Sequence, residues 1–491
     1  MVHGDDRDVK DDKKAPRGGR PRAVKPSGGL RAWRADMDSG AKGGKAGARG
    51  GAAEPAGLGA RRLAVQLIEA VLVSSRALDD ALETADRDPA VAGLEARDRG
   101  FARLIAATVL RRQGSLDAVL SRFLERPLPI NQPRPRSILL AAAAQILMLG
   151  TPAHAAINLA VEQCRRDPKA DRFDKLANAV LRRVSSEGPA ILAGLDTPRI
   201  DIPDWLWKRW VASYGEPTAR RIASASLAEA ELDLSVKEDA AKWAERLGGV
   251  VLATGSVRLT EAGRIEELAG FKDGAWWVQD AAAALPSRLL GDVSGLEVAD
   301  LCAAPGGKTA ALAVGGARVT AVDLSSERLE RLADNVARLG LIDRVTTIAA
   351  DIATWDPDRQ FDAVLLDVPC LSTGTIRRHP DLLHLKRPSD LERIVALQTT
   401  LLERAGRLVK PGGRLIYCVC SLEPEEGEGV VDAFLARSPE FQRRAIMAAE
   451  LKGSIDWVTR KGDLRTLPFH EPSSGQAGMD GFYAARLVKA A

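Results

Sequence analysis

The C-terminal half of the chain predicts a doubly wound α/β domain with a parallel sheet, and the region before it predicts an all-α bundle. From residue 296 onward, short apolar runs alternate with segments of helical periodicity. Between residues 58 and 195, apolar residues recur at helical spacing and no stretch alternates convincingly as a strand does. Repeated strand–helix units imply a parallel sheet whose ligands bind at the carboxyl ends of its strands.

Length and composition agree with several folded parts. The chain has 491 residues, and a domain typically takes about 150 residues. Hydrophobic residues make up 45% of the sequence, which is enough for real cores. The net charge of +4 comes from residues 1–57, which hold 13 Lys and Arg against 8 Asp and Glu. The rest is nearly neutral, so the overall charge says little about the folded body.

Residues 1–57 predict a disordered basic tail, because they contain 12 glycines and few large apolar residues. Such an arm can add nonspecific affinity for RNA, but it can also be a solvated tail without a specific role. The start has no apolar core of the kind that a signal peptide has. The longest apolar run, residues 138–149, is interrupted by Gln145 and is too short to span a membrane. We expect no membrane partner.

The cysteines and histidines favour a reduced cytoplasmic protein without a metal site. The five cysteines are an odd number, and none of them form a CxxC pair. The five histidines are scattered without the spacing of zinc ligands. We expect Cys164, Cys302 and Cys418 to be buried structural thiols.

The predicted bundle carries arginines in pairs and small groups. They are Arg97, Arg99, Arg103, Arg111, Arg112, Arg182 and Arg183. A charge run is most often a solvated face, but the same groups would suit a surface that contacts phosphates. The sequence leaves both interpretations open.

Residues 196–275 predict a small α+β linker domain between the bundle and the α/β domain. A helical segment at 205–225 is followed by strand-like runs at 232–236 and 257–259. The α/β domain then takes residues 276–491. A helix at 281–290 precedes its first strand. Its predicted strands cover 296–301, 317–322, 345–349, 361–366 and 414–419, with helices at 325–339 and 391–409 and a turn at 410–413. A late strand at 480–487 is expected to lie antiparallel at the edge of the sheet.

A loop of small residues between the first strand and its helix predicts a cofactor site. The loop consists of Cys302, Ala303, Ala304, Pro305, Gly306, Gly307 and Lys308. It is neither a phosphate-binding GxxxxGK[ST] loop nor GxGxxG. Acids follow the next three strands, at Asp323, Asp351 and Asp367. Asp323 is placed for ribose hydroxyls and Asp351 for the adenine side. Because nothing in the loop is built for a pyrophosphate, the set fits S-adenosyl-L-methionine better than NAD.

Two thiols at neighbouring strand ends predict covalent chemistry on a cytosine. Cys370 lies three residues after Asp367, and Cys420 follows the strand at 414–419. A thiolate added to C6 of cytosine makes C5 nucleophilic enough to take a sulfonium methyl group, and β-elimination then releases the thiol. Such a site needs a reactive thiol, an acid at the base edge and a base for the C5 proton. The residues alone leave open which thiol attacks.

The motifs resemble two known families. The stretches ARDRGFARLIAATVLRR, PAHAAINLAVEQCRR and FDKLANAVLRRV in 58–195 resemble the NusB family, which binds RNA. Residues 270–491 resemble the Nol/Nop/Sun family of RNA (cytosine-5) methyltransferases. They carry AAPGGKT, DVPCLSTGTIRRHPD, YCVCSLEPEE and GMDGFYAARL. The two together resemble the branch of that family that acts on bacterial 16S ribosomal RNA.

The resemblance implies a Rossmann-like methyltransferase domain and a role for each site residue. Residues 302–308 would bind S-adenosyl-L-methionine with Asp323, Arg328, Asp351 and Asp367. Cys420 would be the nucleophile, and Cys370 would assist breakdown of the covalent adduct and release of the RNA. Asp367 would also contact the target base, and residues 377–381 would lie along the RNA path. We expect a monomer.

Three positions depart from the family pattern, and other functions remain open. Leu371 replaces the usual Ser, Val419 the usual Thr and Gly427 a common Asn. The first two remove a hydroxyl near a thiol, which could alter thiol tuning. The alternatives are the same chemistry on transfer RNA, a DNA cytosine-5 methyltransferase that uses the Pro-Cys thiol, and a noncatalytic RNA-binding factor. Cys420 in a separate motif argues against the DNA enzyme.

Overall fold

The computed structural model describes residues 54–129, 131–259, 263–451, 455–473, 475 and 478–491. Of the tail predicted at 1–57, residues 1–53 lie outside the described residues. Among the described helices, none combines the length and apolar character needed to cross a membrane. Within the same residues, no group of His, Cys, Asp and Glu is arranged to hold a metal ion.

The first folded part is all helical, as predicted for residues 58–195. Its helices are α1 (Leu58–Leu72), α2 (Leu78–Asp86), α3 (Pro89–Ala92), α4 (Ala96–Arg111), α5 (Gln113–Ser121), α6 (Pro133–Leu147), α7 (Ala153–Arg166) and α8 (Asp174–Ala193). Leu67 of α1, Ile105 of α4 and Leu181 of α8 are buried in one hydrophobic core. The alanine-rich α6 lies in the same core. Gln145 is satisfied there, because Arg61 Nε donates to its Oε1 at 3.0 Å and its Nε2 donates to Ala141 O at 2.8 Å.

The second part joins four described helices to a small antiparallel sheet. Its elements are α9 (Thr197–Ile200), α10 (Asp204–Tyr214), α11 (Glu216–Ser226), β1 (Leu232–Val236), α12 (Ala240–Leu247), β2 (Val250–Val251), β3 (Val257–Leu259) and β4 (Trp276–Val278). The order in the sheet is β2-β3-β1-β4. The helix predicted at 205–225 is two helices, because the chain turns at Gly215 with a φ of 77°. Because β4 completes this sheet, the sheet extends beyond the boundary predicted at residue 275.

The third part is the predicted α/β domain. Its elements are α13 (Leu285–Arg288), β5 (Glu297–Leu301), α14 (Gly307–Val314), β6 (Arg318–Asp323), α15 (Ser326–Arg338), β7 (Val345–Ala349), β8 (Phe361–Asp367), α16 (Leu382–Leu385), α17 (Asp390–Arg407), β9 (Val409–Val419), α18 (Val430–Arg437), β10 (Phe441–Arg443), β11 (Leu464–Thr466) and β12 (Phe482–Lys489). The sheet order is β10-β12-β9-β8-β5-β6-β7, and β11 also pairs with β12. Five neighbouring strands of this sheet are parallel, namely β7, β6, β5, β8 and β9.

Three details of the α/β domain differ from the sequence predictions. Strand β12 is antiparallel as expected, but it is not at the edge, because β10 and β11 pair with it beyond β9. The turn predicted at 410–413 is part of β9, where a register shift opposite Phe361 absorbs the extra residues. The helix predicted at 281–290 is reduced to α13, which begins next to Pro286.

The strand order places the predicted site residues together. Strand β5 lies between β6 and β8, and β8 lies between β5 and β9. The carboxyl ends of parallel strands meet at one edge of a sheet. The loops that begin at Cys302, after Asp323, after Asp367 and at Cys420 therefore converge at this edge.

Candidate active site

A cavity of about 850 Å³ opens at the carboxyl edge of the parallel strands. The loop residues Cys302, Ala303, Ala304, Pro305, Gly307 and Lys308 line it, together with Arg328, Asp367 and Cys420. The cavity is as large as sites that hold cofactor-sized ligands. Most of the predicted site residues therefore surround one space.

The glycine loop is held in a shape that leaves its backbone open to the cavity. Cys302 has a φ of 59° and Gly306 a φ of 98°. A Cβ at Gly306 would come within 2.6 Å of Leu332 Cγ, and one at Gly307 within 3.2 Å of Gln279 Nε2. Only glycine therefore fits at position 306 without displacing α15. Cys164 and Cys418 are buried as expected, whereas Cys302 is only partly buried, because it packs against the core and also lines the cavity.

The carboxylate of Asp323 is directed at the loop itself. Its Oδ2 accepts a hydrogen bond from Ala304 N at 3.1 Å, and its Oδ1 accepts one from Ser325 N at 3.1 Å. Arg328 Nη1 lies 3.4 Å from Oδ1, and its other amino group donates to Ala304 O. Asp323 and Arg328 thus fix the loop. Asp323 is itself buried and is not among the residues that line the cavity, so its contact with a ribose hydroxyl stays a prediction.

Asp351 lies apart from the cavity wall. It follows β7 on the same edge of the sheet, and its side chain is exposed. Its Oδ1 accepts a hydrogen bond from Ala353 N at 2.9 Å, which closes a local turn. Its role toward the cofactor stays a prediction.

Two carboxylates of the cavity wall, the partly exposed Asp367 and the buried Asp300, meet Lys308 and Thr309. Lys308 Nζ donates to Asp367 Oδ2 at 2.7 Å, and Thr309 Oγ1 donates to Asp300 Oδ2 at 2.6 Å. Burial lowers the pKa of Lys308, but the charge and hydrogen bond of Asp367, together with the other nearby acidic groups, outweigh burial and raise that pKa above its ordinary value. Burial raises the pKa of Asp300 to about 7. Its Oδ1 has no partner among the described residues and lies in the cavity wall, where it suits a cationic group of a ligand.

The two candidate thiols lie in contact. Cys370 Sγ is 3.4 Å from Cys420 Sγ and 3.6 Å from Ser372 Oγ. The hydrogen bond between the thiols lowers the pKa of Cys420 and raises that of Cys370 well above its usual value. Lys308 favours a thiolate at Cys420, against the opposing charge of Asp367, whereas Glu426 disfavours one at Cys370. Cys420 also lines the cavity, so it is the thiol that a substrate would meet.

Known proteins match this architecture along most of its length. The NusB family model matches residues 58–186, and the model described as 16S rRNA methyltransferase RsmB/F matches residues 289–488. Ribosomal RNA small subunit methyltransferase B of Xanthomonas campestris pv. campestris is 35% identical over 453 residues, covering 89% of this chain and 98% of that protein. The protein of the same name from Pseudomonas putida is 35% identical over 448 residues, covering 88% and 98%.

The chain belongs to the RsmB family of methyltransferases. Its cofactor is therefore S-adenosylmethionine. The crystal structure of PH0851 has the same fold, with a TM-score of 0.66 and 25% identity, and covers 89% of this chain and 99% of that one. The small-residue loop, the orphan Asp300 Oδ1 and the strand-end acids fit this cofactor, whose methionine part carries an ammonium group.

Two loops of this RsmB-family site are pinned together by glycine. Gly374 N donates to Cys420 O at 3.0 Å, and Gly481 N donates to Gly374 O at 2.8 Å. A Cβ at Gly374 would lie 1.9 Å from Gly481 O, so no side chain fits there. Thr373 Oγ1 accepts from Leu422 N at 2.9 Å. These contacts fix the backbone on both sides of the thiol pair.

A buried carboxylate behind the thiols was not predicted from the sequence. Glu426 Oε1 accepts hydrogen bonds from Leu371 N at 2.9 Å and from Gln398 Nε2 at 3.0 Å. Ser421 Oγ donates to its other oxygen. Gln398 also donates to Pro369 O at 2.9 Å. A polar residue on the apolar face of α17 is the signal that would have identified Gln398.

The three residues that depart from the family pattern, Leu371, Val419 and Gly427, are compatible with the residues packed around them. Leu371 and Val419 are buried, so each apolar side chain has replaced a hydroxyl inside the packed wall. A Cβ at Gly427 would lie 2.8 Å from Arg465 Nη2 and 2.9 Å from Tyr483 Cγ. The usual Asn does not fit at position 427 unless these neighbours move.

The helical part supplies one side of the cavity mouth. Ala77 and Asp79 at the start of α2 line the cavity. Leu78 N donates to Asp381 Oδ2 at 3.1 Å, and Asp79 Oδ2 lies 3.5 Å from His379 Nδ1. The hydrogen bond with His379 lowers the pKa of Asp79 to about 2. The NusB-like part is therefore continuous with the reaction cavity.

Proposed function

We propose that this protein methylates C5 of a cytosine in 16S ribosomal RNA through a covalent bond between Cys420 and C6 of the base. The observation that carries this proposal is the thiol pair, 3.4 Å apart, beside Asp367 and the cofactor loop. The substrate follows from relatives that are named ribosomal RNA small subunit methyltransferase B and are matched over 98% of their length. The NusB match over residues 58–186 supports an RNA-facing module.

In this proposal Cys420 attacks and Asp367 holds the base. The lowered pKa of Cys420 supplies the thiolate that adds to C6, which turns C5 into an enamine-like nucleophile. The proposed partner of the N3/N4 edge of the cytosine is Asp367, which pairs with Lys308 and lines the cavity. Transfer of the sulfonium methyl group to C5 leaves a C5 proton, and its removal by a base expels Cys420 from C6.

Cys370 is the releasing group in the proposed cycle. Its raised pKa keeps it a neutral thiol that donates a hydrogen bond to Cys420. A proton available at 3.4 Å assists the departure of Cys420 from the methylated base. The two thiols thus divide addition and release between them.

The proposed cofactor contacts follow the cavity wall. Residues 302–308 form the loop against the cofactor, and Asp323 and Arg328 hold that loop through Ala304. S-adenosylmethionine supplies the electrophilic methyl group. Asp351 remains the proposed contact for the adenine side.

We further propose a division of labour between the parts. Residues 58–195 bind RNA, residues 196–275 connect, and residues 276–491 catalyse. We propose that the protein acts as a monomer in the cytoplasm. Five cysteines without a disulfide among the described residues support a reducing compartment.

The substrate is tested by mapping 5-methylcytosine in total RNA from cells with and without the gene. We expect one or a few cytosines in 16S ribosomal RNA to lose the modification when the gene is removed and to regain it when the gene is restored. The Cys420→Ala gene is the matched control and should not restore it. Loss of modification in transfer RNA alone would contradict the ribosomal assignment while leaving the chemistry intact.

A further inference from the structure

A second cavity, of about 630 Å³, lies outside the reaction site. It is formed where α11 and residues 228–231 face Arg377, Phe469 and Gly478, and none of its lining residues lines the reaction cavity. Nothing in the proposed reaction uses this space. We call it the arginine pocket, after Arg220, Arg221 and Arg377 in its wall.

Arg377 is a buried cation with unused donors. Its side chain is only 3% exposed, and its Nε and Nη1 have no hydrogen-bond partner among the described residues. Its guanidinium lies against Gly478, where a Cβ would come within 2.6 Å of Cζ. Because Gly478 has no side chain, the Arg377 guanidinium has room in the pocket wall. The buried Asp480 acts on Arg377 through its charge, but its ion pair is with Arg378. Buried donors without a hydrogen-bond partner are unfavourable, so the unused donors of Arg377 favour an anionic ligand here.

The neighbouring buried group adds positive charge. Arg111 Nη2 donates to Arg377 O at 3.0 Å, and its Nε has no partner within the described part of the chain. Burial lowers the pKa of Arg111. Two guanidinium groups thus lie close together beneath the pocket.

The carboxylates that line the pocket form no ion pair with Arg377, although the charge of Glu229 favours the charged form of Arg111. Glu231 is engaged with the buried Arg258, 3.1 Å away. Arg220 already pairs with Asp196 and Glu216. The remaining lining acid, Glu229, is exposed.

Arg221 points its cation at the same wall. It lies over the Phe469 ring at 3.8 Å from the centroid. It forms no ion pair with any carboxylate in the described residues. An arginine held on a ring in this way keeps its donors for an external anion.

The pocket and the reaction cavity are connected through consecutive residues. Arg378 lines the reaction cavity and forms an ion pair with Asp480, whereas Arg377 lines the arginine pocket. Successive Cα atoms are about 3.8 Å apart. The walls of the two cavities therefore adjoin at residues 377 and 378.

We propose that the arginine pocket binds a phosphodiester of the RNA strand next to the target cytosine, with Arg377 and Arg221 as its cationic groups. The guanidinium fork matches the oxygens of a phosphate and supplies paired donors. The proposal rests on the proposed function, because it takes RNA as the substrate. It adds a binding site that fixes the strand without reading its sequence.

The test measures the affinity of a 16S ribosomal RNA transcript at several salt concentrations. We expect Arg377→Gln to weaken binding about tenfold at a given salt, since it removes a charge-assisted hydrogen bond. The slope of log Kd against log salt should fall by about one unit, which is the signature of one lost phosphate contact. Arg221→Ala, at an exposed position, should act in the same direction. Arg437→Ala, an exposed arginine that lines neither cavity, is the matched control and should change neither quantity.

The outcomes separate this proposal from the proposed function. If Arg377→Gln fails to fold, as seen by circular dichroism, the slope of Arg221→Ala decides. Slopes equal to that of the wild type in both folded variants would overturn the proposal. Saturable thermal stabilisation by inorganic phosphate that Arg377→Gln abolishes, with an unchanged RNA slope, would also overturn it and assign the pocket to a free anion. A reduced slope in a protein that leaves no 5-methylcytosine on the RNA would contradict only the proposed function.

Discussion

Strand β8 carries an aspartate near each end, and each aspartate pairs with a lysine. The two ion pairs have the same chemistry but differ in exposure and surroundings. At the start of the strand Asp362 Oδ1 lies 2.6 Å from Lys410 Nζ, and at its end Asp367 Oδ2 lies 2.7 Å from Lys308 Nζ. The Lys410 side chain is 42% exposed, whereas that of Lys308 is 11% exposed. Water and salt screen the first pair, which is therefore worth little on its own.

The surroundings of the two pairs decide their roles. Lys410 lowers the pKa of Asp362, whose other oxygen accepts from Glu297 N at 2.9 Å and so ties β8 to the start of β5. At the other end Asp367 Oδ1 accepts from the Cys418 thiol at 3.5 Å, and Cys420 lines the same cavity. An ion pair at the amino end of the sheet serves packing, whereas the same pair at the carboxyl end lies where ligands bind.

The largest expected difference between the two ion pairs appears when each lysine is replaced in turn. We expect Lys308→Met to lower the single-turnover methylation rate by about 10²–10³-fold, the usual effect of losing a preorganised charged group at a reacting centre. Lys410→Met is the matched control and should leave that rate unchanged, with a stability loss of at most about 1 kcal/mol. Rates are measured with 16S ribosomal RNA and saturating S-adenosylmethionine. Equal losses in both variants would contradict the contrast between the ends.

The pinning of the loops at the carboxyl end gives the next largest effect. In Gly374→Ala the new Cβ would lie 1.9 Å from Gly481 O, so the two loops must separate. We expect the free energy of unfolding to fall by about 1–3 kcal/mol and methylation to fall with it. Gly100→Ala, within α4 and with nothing inside 4 Å of the new Cβ, should be neutral or stabilising by up to about 1 kcal/mol. Urea unfolding monitored by circular dichroism measures both variants. A free energy of unfolding of Gly374→Ala equal to that of the wild type would contradict the claim that Gly374 holds the two loops together.

Much of the carboxyl end could be predicted from sequence because its signals are local. Apolar runs that end in an acid located β6 and β8 to within a residue, and the small-residue loop located the cavity. The direction of the Asp323 carboxylate could not be predicted. It accepts hydrogen bonds from the backbone amides of Ala304 and Ser325, and these contacts leave no pattern in the sequence.

The remaining features depend on contacts between residues far apart in the chain. Gln398 and Glu426 meet only after α17 packs behind the thiol loops. Gly374 is constrained by Gly481, which a reading of either loop alone does not reveal. Strand β10 is too short to give a strand pattern, so β12 looked like the edge.

A smaller effect sharpens the difference between the two thiols. The hydrogen bond from Cys370 lowers the pKa of Cys420, so Cys370→Ala removes that effect and the pKa of Cys420 rises. Because the thiolate is the attacking form, the acid limb of the rate of adduct formation should move to higher pH. Rapid-quench measurement of adduct formation across pH tests this, with Cys164→Ala as the control. A limb that stays in place or moves to lower pH would contradict the assigned hydrogen bond.

The central claim is that Cys420 makes the bond to RNA and Cys370 undoes it. The most direct measurement incubates each variant with 16S ribosomal RNA and S-adenosylmethionine and looks for a protein–RNA species on a denaturing gel. The account predicts no adduct and no methylation for Cys420→Ala, and an accumulated adduct for Cys370→Ala. An adduct formed by Cys420→Ala, or a Cys370→Ala protein unable to form one, would contradict it.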